Sequence, residues 1–412
     1  MNRKLSPAWM LAILTGLNLF NYLDRFVLSS VLTPLQKDLH INDGQGGRIM
    51  TAFMLGYFIT SPFFGYLGDR FSRKWLIAGG IFVWSLGTVL TGFAGTFAVL
   101  LSYRVLVGFG EASYATISPG LISDTFEPAR RNNALTIFYA AIPVGAALGS
   151  ILGGQIATHY SWRDAFVWAG APGLVIALVL LPFKEPERGP FVGKSGECAK
   201  IPTPKDILKL FLIPDYVLVV LGYTAYTFAL GAFGLWGPTF LARVHHVAVE
   251  RAGDFFGAVL VVSGLLGTLV GGFAATVWQK RNPAGYAFTL AISVLLAVPF
   301  VVLAFVVRHP TVSMSCLALS MFLLFLCTGP VNTLILETVP ANMHSSAMAL
   351  SIFMIHLFGD VWSSEIVGRL ADYWNNLQRA VLILPAALLL GGALWLWLAL
   401  KTLKAASKPR RA

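Results

Sequence analysis

Charged residues are scarce in this chain of 412 residues. Asp, Glu, Lys and Arg together make up 12% of the sequence, against about 25% in an ordinary soluble domain, while hydrophobic residues make up 56%. A soluble protein of this length needs a polar surface, and the few charged residues here cannot build one. Most of the surface is therefore expected to face lipid. The composition excludes a large soluble domain and a nucleic-acid-binding protein, and it argues against most enzyme classes.

Cysteine is also rare, and its pattern carries no chemistry. Cys198, Cys316 and Cys327 share no spacing typical of a metal or redox site. The predicted membrane segments contain no clustered His/Asp metal set and no paired nucleophile and base. We therefore expect no enzyme activity, no metal and no cofactor. Sequons of the form Asn-x-Ser/Thr are absent and both tails are short, which favours a bacterial inner membrane.

Long apolar runs are abundant, and twelve of them are long enough to cross a membrane as helices. The first follows a basic start but is too long for a signal peptide and lacks a cleavage site, so we interpret it as a retained helix. The sequence thus predicts an all-α, multi-pass membrane protein. The predicted spans are 8–34, 48–67, 75–94, 98–124, 133–159, 165–183, 214–241, 253–277, 286–307, 312–336, 345–370 and 380–400.

The distribution of Lys and Arg predicts the orientation. With the N-terminus inside the cell, twenty of these residues fall in inside segments and eight in outside segments. This asymmetry predicts that both termini are cytoplasmic. It also accounts for most of the formal net charge of +11 without a polyanionic partner.

A polar stretch rich in Pro, Gly and Lys divides the predicted spans six and six. We predict an N-terminal six-helix bundle over 1–183, a cytoplasmic linker over 184–213 and a C-terminal six-helix bundle with a basic tail over 214–412. The linker segment from Pro204 to Pro214 is predicted to include a short amphipathic helix on the inner membrane surface. Two six-helix halves with a central linker are typical of a rocking-bundle carrier.

An internal repeat supports this division. The segment Gly65 to Lys74 lies between spans two and three, and the segment Gly272 to Arg281 lies 207 residues later, between spans eight and nine. The glycine and the terminal basic pair recur in the second copy. The acidic residue of the first copy is replaced by Thr276.

The first copy, Gly65-x-Leu67-x-Asp69-Arg70-x-x-Arg73-Lys74, resembles the signature loop of the major facilitator superfamily. Three further stretches resemble its spinster-like branch: Asn21 to Arg25, Arg104 to Tyr114, and His356 to Asp360. The resemblance implies transport of amphipathic lipids, with sphingosine-1-phosphate and lysophospholipids as the known class. We expect a monomer whose partners are its lipid or amphipathic substrate and the membrane lipids. Phe358 and Ser363-Ser364 depart from the branch's pattern in the eleventh span.

Four ionisable residues lie at membrane depth in the N-terminal half: Asp24 and Arg25 in the first span, and Arg104 and Glu111 in the fourth. Arg104 and Glu111 are two turns apart on one helix face, about 10 Å apart in height, so the fourth span can offer one partner each to Asp24 and Arg25. One interpretation is a central binding site, because buried charges are costly and usually functional. The other is a static ion-pair network that only fixes the register of the two helices.

The functional interpretation assigns a role to each group. Arg25 and Arg104 suit a phosphate headgroup, because a guanidinium bonds two oxygens and stays charged in a dry cavity. With them we place Glu111 and Tyr114 among the substrate-binding candidates. The proton-coupling candidates are Asp24, Glu111, His356 and Asp360, with a proton gradient as the energy source. His356 and Asp360 can equally be a polar pair at a helix contact.

The loop residues Gly65, Asp69, Arg70, Arg73 and Lys74 are predicted at the inner surface, outside the central cavity. Asp69 can meet a helix N-terminus or a basic group and hold the inner side closed, which would make this loop a cytoplasmic gate. The alternative is simple anchoring by positive charge. Anchoring does not need an acidic residue, so we favour the gate.

The sequence therefore predicts a secondary transporter that moves an amphipathic organic anion, a lysolipid or sphingolipid phosphate, by proton-coupled alternating access. The first alternative is a carrier for a small organic anion or drug. The second is a receptor or scaffold that does not transport, against which the gate loop argues. Import and export stay equally open, because the same cavity serves both.

Overall fold

The computed structural model describes residues 3–4, 6–180, 183–184, 209–340 and 343–406. The described part is almost entirely helical, apart from a two-residue parallel pairing between Arg3–Lys4 and Phe183–Lys184. Residues 185–208 of the predicted linker lie outside the described residues, and so does most of the predicted surface helix. Only its end is seen, as a 3₁₀ turn over Leu210–Leu212.

Six long helices precede the linker, and each corresponds to one predicted span. They begin and end up to about five residues away from the predicted bounds, as expected for sequence-based boundaries. Their bounds are α1 (Pro7–Leu39), α2 (Asp43–Arg70), α3 (Arg73–Gly92), α4 (Phe97–Thr125), α5 (Pro128–His159) and α6 (Trp162–Leu180).

The helices after the linker are more interrupted. The predicted tenth, eleventh and twelfth spans are each built from more than one helical segment. The bounds are α7 (Pro214–Val244), α8 (Val249–Arg281), α9 (Gly285–Val306), α10 (Pro310–Phe325), α11 (Thr328–Glu337), α12 (His344–Ile355), a π-helical turn (His356–Asp360), α13 (Val361–Trp374), α14 (Leu377–Ala380) and α15 (Ile383–Ala406).

Local sequence signals explain where the first helices begin and end. The Ser6 side chain accepts a hydrogen bond from Trp9 N at the start of α1, and Asn42 and Gln45 form a reciprocal capping box at the start of α2. These contacts satisfy backbone N–H groups that have no partner within the helix. Between them, His40 adopts a left-handed conformation with φ 51° and ends α1.

Eight helical segments of the described chain are long and apolar enough to cross a membrane. The helices that carry Asp24, Arg25, Arg104 and Glu111 are not among the eight, which fits the polar groups in their interiors. The all-α membrane fold predicted from the composition is confirmed. The count of twelve spans and the cytoplasmic placement of both termini stay predictions.

The described residues form two compact units. The first comprises residues 1–196 and 237–258, and the second comprises residues 197–236 and 259–412, in the parts that the structure describes. Within the first unit, the segment 237–258 is tied to earlier helices by polar contacts: Arg243 bonds Asp43 at 2.5 Å and also Gln36, and Gln155 Nε2 donates to Asp254. The three-part domain division at the linker stays a prediction.

Three glycines of α5 bring α1 unusually close. A Cβ atom added at Gly145 or Gly149 would lie 2.4 or 2.2 Å from the carbonyl oxygens of Leu19 and Leu23, and one at Gly153 would lie 3.1 Å from that of Val27. Small residues at spacing four allow this backbone approach within a membrane. The packing fixes the rotation of α1, and with it the direction in which its charged residues point.

Candidate functional site

Two ion pairs connect α1 and α4 inside the first unit. Arg25 Nη2 lies 2.6 Å from Glu111 Oε2 and donates a hydrogen bond to it. Arg104 Nη1 lies 3.6 Å from Asp24 Oδ1. The structure therefore brings together all four charges singled out in the sequence, in the pairing that their spacing allows.

Helix geometry explains this pairing. Asp24 and Arg25 are neighbours on α1 and point about 100° apart, so one partner cannot serve both. Arg104 and Glu111 are separated by two turns along one face of α4 and present their charges at two heights. Each residue of α1 thus meets a different residue of α4.

Asp24 is almost completely enclosed, with 1% of its surface exposed. The hydroxyl of Thr88 on α3 donates a hydrogen bond to its Oδ2 atom. Its Oδ1 atom is buried and has no hydrogen-bond partner among the described residues, because the guanidinium group of Arg104 is too distant for a hydrogen bond. One half of this carboxylate therefore depends on a charge contact alone.

Arg104 is fully buried, and its side chain has no exposed surface. Its Nε, Nη1 and Nη2 atoms all lack a hydrogen-bond partner among the described residues. The guanidinium carbon instead lies 5.1 Å from the centroid of the Phe53 ring. Arg104 is thus positioned as the counter-charge of Asp24 and not as a group that a ligand can reach in this conformation.

Arg25 differs from the other three charges because part of its side chain is accessible. The exposed fraction is 15%, against 0% for Glu111 and Arg104 and 2% for the side chain of Asp24. Its guanidinium carbon lies 4.9 Å from the ring centroids of Tyr22 and Phe53 and 5.4 Å from that of Tyr57. Arg25 is therefore the charged residue best placed to contact an anion. The three surrounding aromatic rings stabilise its planar cation.

Two residues that contact the four charges, Thr88 and Phe53, were not predicted from the sequence. No sequence pattern marks Thr88 as a hydrogen-bond donor to Asp24. Phe53 lies four residues before Tyr57 and so shares its face of α2, but apolar residues of this kind are frequent throughout the chain. Only the packing of α2 and α3 against α4 reveals their roles.

Tyr114, predicted as a substrate-binding residue, is enclosed between helices. It has no exposed surface, and its hydroxyl donates a hydrogen bond to the carbonyl oxygen of Leu14 on α1. Its ring packs edge-on against Trp84 at a centroid distance of 5.5 Å. These contacts join α1, α3 and α4 and leave the hydroxyl engaged with the backbone.

His356 and Asp360, predicted as proton-coupling residues, lie in the second unit on the π-helical turn. His356 Nδ1 lies 3.0 and 3.1 Å from the two carboxylate oxygens of Asp360. Their side chains are partly exposed, at 31% and 23%. The turn packs closely on α7, where a Cβ atom added at Gly231 would lie 2.5 Å from Asp360 Cβ. A π-helical turn often marks a functional position in a helix.

The predicted gate loop joins α2 and α3. The Arg73 side chain donates from Nε to the carbonyl oxygen of Gly68 at 3.3 Å, and Lys74 Nζ lies 4.9 Å from the ring centroid of Trp75. Gly65 faces Thr116 of α4. The side chains of Asp69 and Arg70 lie outside the described part of the structure, so their contribution to a gate stays a prediction.

Comparison with protein families identifies the class. The family model of the Major Facilitator Superfamily matches residues 14–363. Among solved structures, a bacterial homologue of the human lysosomal transporter Spinster superimposes with a TM-score of 0.86 at 22% identity, covering 98% of this chain and 99% of the other. A D-xylose–proton symporter superimposes with a TM-score of 0.72 at 17% identity, covering 97% of both chains. The fold is that of a multi-pass transporter of this superfamily.

Curated relatives narrow the class further. Protein spinster homolog 1 of Xenopus tropicalis is 34% identical over 418 residues, which cover 94% of this chain and 80% of the relative. The sphingosine-1-phosphate transporter SPNS2 of Danio rerio is 32% identical over 427 residues, covering 96% and 84%. The chain belongs to the spinster family of the major facilitator superfamily. The resemblance inferred from the sequence motifs is therefore confirmed. The protein is a transporter and not an enzyme.

Proposed function

We propose that this spinster-type transporter moves an amphipathic organic anion, a lysolipid or sphingolipid phosphate, by alternating access coupled to protons. The observation that carries the proposal is the position of Arg25. It is the most accessible member of a buried four-charge cluster, and it is bonded to Glu111 by a single contact of 2.6 Å. An arginine whose side chain is partly accessible inside a membrane protein is well suited to a phosphate headgroup.

Binding of the headgroup would change the charge balance of the cluster. A phosphate that bonds the guanidinium group of Arg25 draws this group away from Glu111. The cluster then contains Arg104 as the remaining buried cation near two carboxylates. One cation cannot compensate two buried carboxylates, so uptake of one proton by the cluster becomes favourable. Substrate binding and protonation are thereby coupled through one arginine.

Asp24 is proposed as the carboxylate that carries the coupled proton. Each of the two carboxylates has one buried oxygen without a hydrogen-bond partner among the described residues. Glu111 accepts a charge-assisted hydrogen bond from Arg25, whereas Asp24 accepts only a hydroxyl hydrogen bond from Thr88 and has its guanidinium group 3.6 Å away. The charge of Asp24 is therefore the less firmly compensated of the two. Glu111 is proposed to return Arg25 to its resting position once the headgroup leaves.

The comparisons support a phosphorylated lipid as the substrate class, since one relative is named as a transporter of sphingosine-1-phosphate. We further propose six helices in each half, both termini in the cytoplasm, and residence as a monomer in a bacterial inner membrane. We also propose a gate at Asp69 and a second proton site at His356 and Asp360.

An acyl-chain series on one phosphate headgroup tests the substrate class. Each buried methylene contributes about 0.8 kcal/mol, so extending the chain from two to sixteen carbons is expected to raise the affinity of the purified protein at least about a hundredfold before it levels off. Competition with a radiolabelled long-chain ligand in detergent measures this. Affinity that does not depend on chain length would instead support a carrier for small organic anions. Binding without flux in proteoliposomes would support a receptor.

A further inference from the structure

The ring of Phe53 is shared by the two arginines of the cluster. Phe53 lies on α2 and has no exposed surface. The guanidinium carbons of Arg25 and Arg104 lie 4.9 and 5.1 Å from the centroid of this one ring. Both distances are within the roughly 6 Å at which a cation is attracted to an aromatic face.

Arg104 depends on this ring more than Arg25 does. Its Nε, Nη1 and Nη2 atoms have no hydrogen-bond partner among the described residues, and its nearest carboxylate is 3.6 Å away. A buried cation needs compensation from its surroundings. Arg25, by contrast, also has a hydrogen bond to Glu111 and the faces of two tyrosine rings. The π face of Phe53 is therefore a major part of what holds Arg104 in place.

We propose that Phe53 is a positioning residue whose π face holds the Arg104 guanidinium group against Asp24 and thereby sets the pH range over which transport responds. The inference rests on the proposed function for its transport readout. The titratable groups that face the two arginines come from α1, α2 and α4: Tyr22, Asp24, Tyr57 and Glu111.

The direction of the effect follows from the charges. If the ring attracts Arg104 less strongly, the guanidinium group is held less firmly beside Asp24 and compensates its negative charge less well. Asp24 is then protonated at a lower proton concentration. The midpoint of the pH dependence of transport therefore moves to higher pH.

Fluorination tests this without changing the size of the ring appreciably, because each fluorine weakens the negative potential of the aromatic face. Phe53 is replaced by mono-, di- and trifluorophenylalanine, and Phe233 is the matched control, a buried ring in the second unit that stacks on Phe305 at 5.4 Å. Along the Phe53 series, we expect the pH midpoint to rise stepwise, by about one unit for the trifluoro ring, a tenfold change in proton concentration. The Phe233 series should leave it unchanged.

A second readout is independent of transport. The exchange rate of the Arg104 Nε–H proton, assigned by its loss in Arg104→Lys, is expected to rise along the Phe53 series because the guanidinium group is held less firmly. A midpoint that stays constant along the series, or that moves equally with Phe233, overturns the proposal. If the unmodified protein shows no response to pH, the proposed proton coupling fails, and the exchange rate alone decides the role of Phe53.

Discussion

Arg25→Ala is expected to lower the affinity for a long-chain lysolipid phosphate at least about a hundredfold, the loss expected for a desolvated charge-assisted contact. Arg25→Lys should recover only part of it, because a point charge cannot bond two phosphate oxygens in the way a planar fork does. Equilibrium binding of a radiolabelled ligand to the purified variants measures both. Arg163→Ala is the control, since that arginine is a partly exposed residue paired with Asp38 at 2.7 Å, outside the cluster.

Arg104→Ala provides the contrast. Arg104 has no exposed surface, so its removal should weaken binding less than the removal of Arg25 does, provided that the variant elutes as a folded protein. Wild-type affinity in Arg25→Ala together with lost affinity in Arg104→Ala would reverse the assignment and give the headgroup contact to Arg104. Wild-type affinity in both would leave the four charges as a structural network between α1 and α4.

Asp24→Asn is expected to abolish the stimulation of transport by a pH gradient while leaving substrate binding or exchange measurable. The amide imitates the protonated acid and keeps its shape, so the cluster can no longer change its charge at this position. Tracer uptake into proteoliposomes, with and without an imposed gradient, gives the ratio that should fall to about one. Asp38→Asn, on the partly exposed pair with Arg163, should retain the wild-type ratio.

Glu111→Gln distinguishes the two carboxylates. If Glu111→Gln loses the response to the gradient and Asp24→Asn keeps it, then Glu111 carries the coupled proton and its bond to Arg25 is the element that substrate binding breaks. A normal response in both variants would contradict coupling through this cluster. The chain would then be a uniporter or would use another ion.

The pairing of the four charges could be predicted from the sequence, because it depends on regular helix geometry. Adjacent residues on α1 diverge by about 100°, and residues seven apart on α4 align, so Asp24 and Arg25 had to find different partners. The long apolar runs made the positions of the first six helices predictable to within about five residues. What spacing could not supply was the different accessibility of Arg25 and Arg104, because that depends on which neighbouring helix covers each one.

The contacts that α2 and α3 make with the four charges could not be predicted either, because they also depend on how neighbouring helices pack. Phe53 and Thr88 belong to α2 and α3, and nothing in their local sequence distinguishes them from other apolar or hydroxyl residues. The interruption between α10 and α11 has a local cause that hydropathy does not register: Pro330 lacks the N–H group that would bond back to Leu326, at the end of α10. The π-helical turn at His356 accompanies the close approach of Gly359 to Thr227, which is a tertiary contact.

Uptake of a long-chain lysolipid phosphate into proteoliposomes containing the purified protein measures the proposed transport activity itself. We expect saturable uptake that exceeds that of protein-free vesicles, increases when a pH gradient is imposed, and disappears with Arg25→Ala. A two-carbon analogue with the same headgroup should be taken up poorly. Saturable uptake of the short analogue with none of the long-chain lipid, or uptake of the lipid unchanged by Arg25→Ala, would contradict a headgroup held by Arg25 in a lipid transporter.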